Sequence, residues 1–376
     1  MDIAIAQSNL TLYGGAERVI LKIAQHYHAK IYTAEYNPDT TFPEFKDLDI
    51  IVVGSNKLKK ILPYGRVMQG LNYGLSFYNL KLEDYDVINA HIAPSHWIRN
   101  KNEKVLWYCH TPLRDIYDLY KFRLSLKKWY QKPVYVVGSK IIKKIDQYEV
   151  KKIEFIFANS VNVKKRIIKY YGRDDAIVLN GGIEYEKYAN KGDDKYFFYP
   201  SRISPNKRQD FALKAFEIFK KQIKGYKLIL TGAVSNDKIF KEYYDEIKRE
   251  ANKIGDVKIF KNVSEKMQIE LYSKATAILY PPLNEDYGLV PLEAMASRKP
   301  IIAVNEGGPK ETIENGKTGF LINNEKEMAE KMIFIAEHPK IADLIGKKGA
   351  DRVKEKYSWD KFFIEFDKGL KKTMKS

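Results

Sequence analysis

Short apolar runs rich in β-branched and aromatic residues alternate with helix-patterned stretches along the whole chain, and the alternation starts again after the middle. In the first half the strand candidates are IAIAQ near residue 3, KIYTAEY, DIIVVG, DVINAH, KVLWYCH, FIFANS and AIVLN. Helical patterns such as GAERVILKIAQHYH and NVKKRIIKYYG lie between them. In the second half KYFFYPSR, KLILTG, VKIF, ATAILYPP and KPIIAV read as strands, separated by RQDFALKAFEIFKKQI and SEKMQIELYSKA. Strands that alternate with helices build parallel sheets from βαβ units. A Gly- and charge-rich connection, NGGIEYEKYANKGDDK, separates the two rounds. The expected architecture is therefore α/β, with two doubly wound domains over residues 1–180 and 195–355. The last stretch, residues 356–376, reads as an amphipathic helix capped by Ser358 that packs back on the first domain. Ligands of such sheets bind at the carboxyl ends of the strands. Two of them facing each other would place the site in a cleft between the domains.

Composition sets limits on function. The chain has 376 residues and 44% hydrophobic content, enough for two buried cores. No run of about 18 apolar residues suggests a membrane-crossing helix. The start, MDIAIAQSNL, lacks the basic-then-apolar pattern of a secretory signal. Cys109 is the single cysteine, so no intrachain disulfide can form, which fits a reducing cytoplasm. The net charge of +17 attracts polyanions in general, whether phosphorylated ligands, anionic membrane or nucleic acid. No zinc-finger spacing or RNA-binding aromatic signature accompanies it, so nucleic acid is not expected as a partner.

The stretch YPPLNEDYGLVPLEAMASRKPIIAVNEGGPKETI, residues 280–313, carries the most chemistry. A strand ends at a double proline, a polar loop of Asn284, Glu285, Asp286, Tyr287 and Gly288 follows, and a helix opens near Leu289. Pro291 fits its first turn, where a missing N–H costs nothing. Free N–H groups at a helix start, at the positive end of the dipole, suit a diphosphate, and Gly288 permits close approach. Glu285 and Glu293, eight positions apart, can accept hydrogen bonds from sugar or ribose hydroxyls. Ser201-Arg202-Ile203-Ser204-Pro205-Asn206-Lys207 follows the first strand of the second domain. Arg202 offers a planar fork and Lys207 a point charge for phosphate. No Asp-x-Asp ends a strand, so no metal is expected; cations and helix amides can do that work.

The Glu285-x7-Glu293 pair, followed by Ala294 and Met295, resembles the signature of the group 1, family 4 retaining glycosyltransferases, and the likeness runs in order along nearly the whole chain. It implies the GT-B fold of two Rossmann-like domains. It further implies that Glu293 binds the nucleotide ribose and Glu285 the donor sugar. The N–H groups of Tyr287, Gly288, Leu289 and Val290 would meet diphosphate or sugar, while Arg202 and Lys207 stabilise the leaving diphosphate. Asp286 stands where the family often has a small residue and adds a carboxylate near the donor. Thr231-Gly232, at the end of the next strand, would lie near the phosphates, and Val263 near the base.

In the first domain Tyr13-Gly14-Gly15 opens a helix after the first strand and resembles the family's Gly-Gly loop, which touches donor and acceptor. His110, in Cys109-His110-Thr111-Pro112, resembles the family histidine beside the donor sugar. Arg114 is an acceptor-side cation candidate, and His91 and His96 read as structural. Residues 121–152 mix lysines with Trp, Tyr, Ile and Val. Either they lie on an anionic membrane surface, which would place the enzyme on the inner face of the plasma membrane, or they form a packed helix with lysines outside.

The resulting expectation is a metal-independent hexosyltransferase without a cofactor. It would use a nucleotide-diphosphate sugar, GDP-mannose first by the mannosyltransferase-like form of NEDYGLVPLEAMA, and a glycan or lipid-linked acceptor. A UDP-hexose donor, a sugar-nucleotide epimerase of the same fold and a basic RNA-binding protein are the alternatives.

Overall fold

The structure is a computed structural model and describes residues 1–54, 66–235 and 238–376. The chain forms two units. Unit 1 comprises Met1–Gly181 together with Phe362–Ser376, and unit 2 comprises Gly182–Lys361.

Unit 1 holds β1 (Ile3–Gln7), β2 (Lys30–Thr33), β3 (Ile50–Val52), β4 (Val87–Ala90), β5 (Val105–Cys109), β6 (Phe155–Ala158) and β7 (Ile177–Val178). They pair in the order β3-β2-β1-β4-β5-β6-β7. Unit 2 holds β8 (Tyr196–Pro200), β9 (Lys227–Thr231), β10 (Val257–Phe260), β11 (Ala277–Tyr280), β12 (Ile301–Val304) and β13 (Phe320–Ile322), in the order β10-β9-β8-β11-β12-β13. All these pairings are parallel. Both sheets thus run 3-2-1-4-5-6 outward from their first strand, the doubly wound order. β13 was not anticipated; its three residues lie between Gly319 and Asn323 and are too short to show a period.

Central strands such as VLWYC in β5 and YFFYP in β8 are buried at every position, because helices cover both faces of a parallel sheet. In unit 2, Phe197, Phe198, Phe216, Phe219 and Tyr272 fill the core.

In unit 1 a buried carboxylate holds the helix Lys132–Lys152 in place. Asp146 accepts hydrogen bonds from Trp97 Nε1 (3.0 Å), Tyr117 OH (2.9 Å) and Tyr171 OH (2.8 Å), and His96 Nε2 lies 2.9 Å away. Burial alone would push this carboxyl up, but His96, Trp97 and Tyr171 hold it below the ordinary carboxylate range. The final helix, Trp359–Lys375, crosses into unit 1 at Phe362. There Phe366 stacks on Phe157, Tyr27 donates to Asp367 at 2.6 Å, and Gly369 lies where a Cβ would meet the Phe157 ring at 2.3 Å.

Removing one partner from a buried charge cluster costs about 3–5 kcal/mol, since the others stay dry and unpaired. Asp146→Ala is therefore expected to lower stability by that amount, read from urea unfolding. Val134→Ala, on the exposed side of the same helix, stays within about 0.5 kcal/mol of the parent.

Candidate active site

Two loops at the carboxyl edge of the unit 2 sheet flank the point where strand order reverses. One follows β8 and the other follows β11, and these strands are neighbours. The loops are tied by a hydrogen bond from Leu283 N–H to the Asn206 carbonyl, 2.9 Å. From the first comes Lys207, whose ammonium lies 2.5 Å from Glu285 Oε2 of the second. Both are largely buried, with side-chain exposures of 11% and 19%, so the pair is screened less than a surface one. The buried Tyr199 hydroxyl donates to the Lys207 carbonyl and fixes the backbone that carries it. Arg202, on the same loop, is exposed and forms no ion pair among the described residues.

The second loop runs into the helix Leu289–Ala296 through Gly288, whose φ of +83° lies in the left-handed region that glycine tolerates best. No side chain caps this helix, and Leu289 and Val290 are its first residues. Their N–H groups have no acceptor within the helix. Asp286 is half-buried and the Tyr287 ring is packed in the core. The turn after β12 locks the loop from behind. Gly308 N–H donates to the Glu285 carbonyl at 2.9 Å, and Glu306 Oε2 accepts from Asn284 N–H at 3.1 Å. A Cβ on Gly307 would meet the Glu285 carbonyl oxygen at 2.3 Å, and one on Gly308 the Tyr287 carbonyl oxygen at 2.1 Å.

Glu293 is not a surface helix residue. It is buried, and its Oε2 accepts from the Tyr272 hydroxyl at 2.6 Å. At the end of β9 the Thr231 hydroxyl is buried and finds no hydrogen-bond partner among the described residues, which a bound ligand or water would relieve. Gly232 lies where a Cβ would strike the Ser201 carbonyl oxygen at 1.9 Å, so β9 and the Arg202 loop meet backbone to backbone. Val263 follows β10 and is half-buried.

In unit 1 His110 sits at the end of β5, buried, in a chain of hydrogen bonds. Asn89 Nδ2 donates to the Leu106 carbonyl (3.2 Å), which leaves Asn89 Oδ1 to accept from His91 Nε2–H (2.7 Å). Burial pushes the pKa of His91 well below its usual value and that of His110 down to about 3, so both rings are neutral near pH 7. His91 Nδ1, now the bare nitrogen, accepts from His110 Nε2–H at 3.0 Å. His110 therefore carries its proton on Nε2, and its Nδ1 is an acceptor.

The remaining unit 1 candidates are arranged differently. A Cβ on Gly14 would meet Glu17 Oε2 at 2.2 Å, so a carboxylate already closes over the Gly14-Gly15 turn. Tyr13 is exposed and packs edge-on against Phe42. Arg114 is mostly buried and bridged to Asp118 at 2.8 Å, and Arg166 lies 3.9 Å from the same carboxylate. Sequence reasoning missed Tyr272 and Asn89. Nothing in its helix marks Tyr272, whereas an Asn inside the apolar strand VINA, two residues before a His, is a readable anomaly.

With this geometry in view, the relatives decide the family. Residues 182–352 match the family described as Glycosyl transferases group 1, and residues 13–187 match Glycosyltransferase Family 4. The human alpha-1,3/1,6-mannosyltransferase ALG2 is 30% identical, with 93% of this chain and 91% of that protein covered. The chain is a family 4 glycosyltransferase. The ALG2 of Dictyostelium discoideum is 28% identical over 99% of this chain and 98% of its own length. Among solved structures, Anabaena Alr3699/HepE in complex with UDP superposes with a TM-score of 0.75 at 16% identity, covering 99% of this chain and 100% of that one. A Rickettsia africae glycosyltransferase gives 0.72 at 18% identity, covering 100% of this chain and 99% of that one. The glycosyltransferase thus has the GT-B fold. Among its described residues, no group of three or more His, Cys, Asp and Glu side chains is placed to hold a metal ion.

Two outcomes test this site. Gly308→Ala is expected to displace the Glu285 loop, lowering the melting temperature and weakening nucleotide-sugar binding together, since its obstacle is backbone. Unchanged binding would detach the turn from the site. For His110, the unfolded chain takes up a proton below 6.5 and the folded one only near 3. Stability therefore falls as pH drops across that window, by at most about 1.4 kcal/mol per pH unit. Urea midpoints against pH should show a shallower loss in His110→Gln, and parallel curves would mean the ring is charged in the folded state.

Proposed function

We propose that the glycosyltransferase moves a hexose, mannose from GDP-mannose in the first instance, with retention of anomeric configuration, to a glycan or lipid-linked acceptor. One observation carries this reading: Lys207 and Glu285 converge at the reversal point of the unit 2 sheet, beside the uncapped helix start at Gly288. A diphosphate there would meet the N–H groups of Leu289 and Val290 at the helix start, the Lys207 ammonium and the Arg202 guanidinium. Thr231 would supply its unsatisfied hydroxyl and Glu293 its second carboxylate oxygen to the ribose. The mannosyltransferase names of the relatives support the sugar.

In this mechanism the bond from the anomeric carbon to the diphosphate oxygen breaks, and negative charge grows on the leaving group. Lys207, Arg202 and the helix amides take up that charge without a divalent ion. The acceptor hydroxyl attacks from the same face and passes its proton to the departing diphosphate oxygen. His110, an acceptor through Nδ1, holds a sugar hydroxyl by taking its hydrogen bond. The carboxylate of Glu17 over Gly14 suits a hydroxyl-bearing acceptor better than a phosphate, which moves the Gly14-Gly15 turn toward the acceptor.

A second reading, a UDP-hexose donor, draws on the HepE structure in complex with UDP-glucose. Thermal shifts against GDP- and UDP-sugars separate the two. With the preferred donor, Arg202→Ala should lower kcat/KM by about 10²–10³, the usual loss for one charge-stabilising donor, without a change in melting temperature. Full turnover in that exposed variant would refute the role of Arg202. Proton NMR of the product reads the anomer directly, and an inverted linkage would end the retaining mechanism.

A further inference from the structure

The helix Lys132–Lys152 has two apolar faces. One, with Tyr135, Ile142 and Val150, packs into unit 1 and is held there by Asp146. The other points to solvent: Val134, Val137, Ile141 and Tyr148 recur at spacings of three, four and seven, which is one stripe. Val134 is 64% exposed and Tyr148 60%. Just upstream, Phe122, Leu126, Trp129 and Tyr130 are also exposed, Trp129 at 82%. Eight of the twenty-three exposed large hydrophobic side chains among the described residues thus fall within residues 122–148.

The charge of this segment is one-sided. Residues 121–152 contain ten Lys and Arg and two acids, Asp146 and Glu149. Both acids have fully buried side chains, so the solvent face presents cations and no carboxylate of its own. Lys140 and Lys144 flank the apolar stripe, and Lys128 and Lys132 flank the Trp129 turn.

We propose that this face is a peripheral docking surface for an anionic lipid bilayer. Trp and Tyr favour the bilayer interface, aliphatic side chains enter the acyl boundary, and lysines extend to acidic headgroups. A protein partner fits less well, because lysine is depleted in protein interfaces. The inference does not depend on which sugar is transferred.

The test is flotation of the full chain with phosphatidylcholine vesicles and with vesicles that also contain phosphatidylglycerol. Binding is expected only to the anionic vesicles and should weaken with added salt. Each lysine near the surface contributes a factor of about five, so K140Q/K144Q should bind roughly thirtyfold more weakly. W129S/I141S should lose at least tenfold. All four positions are exposed, and unchanged melting curves exclude unfolding as the cause. Equal flotation with both vesicle types, or binding indifferent to both variants, overturns the proposal. So does a self-associated species in sedimentation that W129S/I141S dissolves while vesicles are never bound.

Discussion

A parallel strand covered by helices on both faces has few places for a polar side chain except at its ends. That constraint arranges this molecule. In unit 2 the strands themselves are nearly all apolar, and Arg202, Lys207, Thr231 and Glu285 all come after or at a carboxyl terminus. The doubly wound order makes β8 and β11 adjacent although they are far apart in sequence, so the loops after them come together, tied by the Leu283 N–H to Asn206 carbonyl bond. The interlocked glycines at 307 and 308 are the consequence: the loop after β11 keeps its shape only because another backbone presses directly against it.

Unit 1 breaks the same rule once, and the exception is informative. Asn89 lies within β4 and is fully buried, a placement that costs free energy unless every polar atom is paired. The pairing runs through His91 to His110, so a strand-interior amide fixes which nitrogen of a strand-end imidazole carries the proton. Burial favours the neutral form of both rings near pH 7. A neutral His110 keeps Nδ1 as a hydrogen-bond acceptor, which a protonated ring would lose.

Much of this was legible in the residues. Twelve of the thirteen strands among the described residues could be read from apolar runs because buried parallel strands are continuous in sequence, and β13 was missed for want of length. The helix start at Leu289 was readable because Gly288 and Pro291 bracket it. What the sequence did not reveal were pairings between distant positions. Tyr272 and Glu293 are 21 residues apart, and no local pattern connects a tyrosine on one helix with a glutamate on another. Arg114 shows the opposite case: its ion pair with Asp118, four residues on, has a spacing that is visible in the sequence.

The Lys207–Glu285 pair also sets the electrostatics of the candidate site. A lone ammonium in a largely buried position would pay a desolvation cost, and a lone carboxylate there would repel phosphate. Together they leave a nearly neutral, preformed dipole. On the proposed reading a diphosphate beside it would share the ammonium while the carboxylate turned to a sugar hydroxyl, so neither buried charge would be left without a partner. Arg202, exposed and outside any ion pair among the described residues, adds net positive charge at the rim at little cost in stability. The division of labour between a compensated inner cation and an uncompensated outer one follows from burial alone.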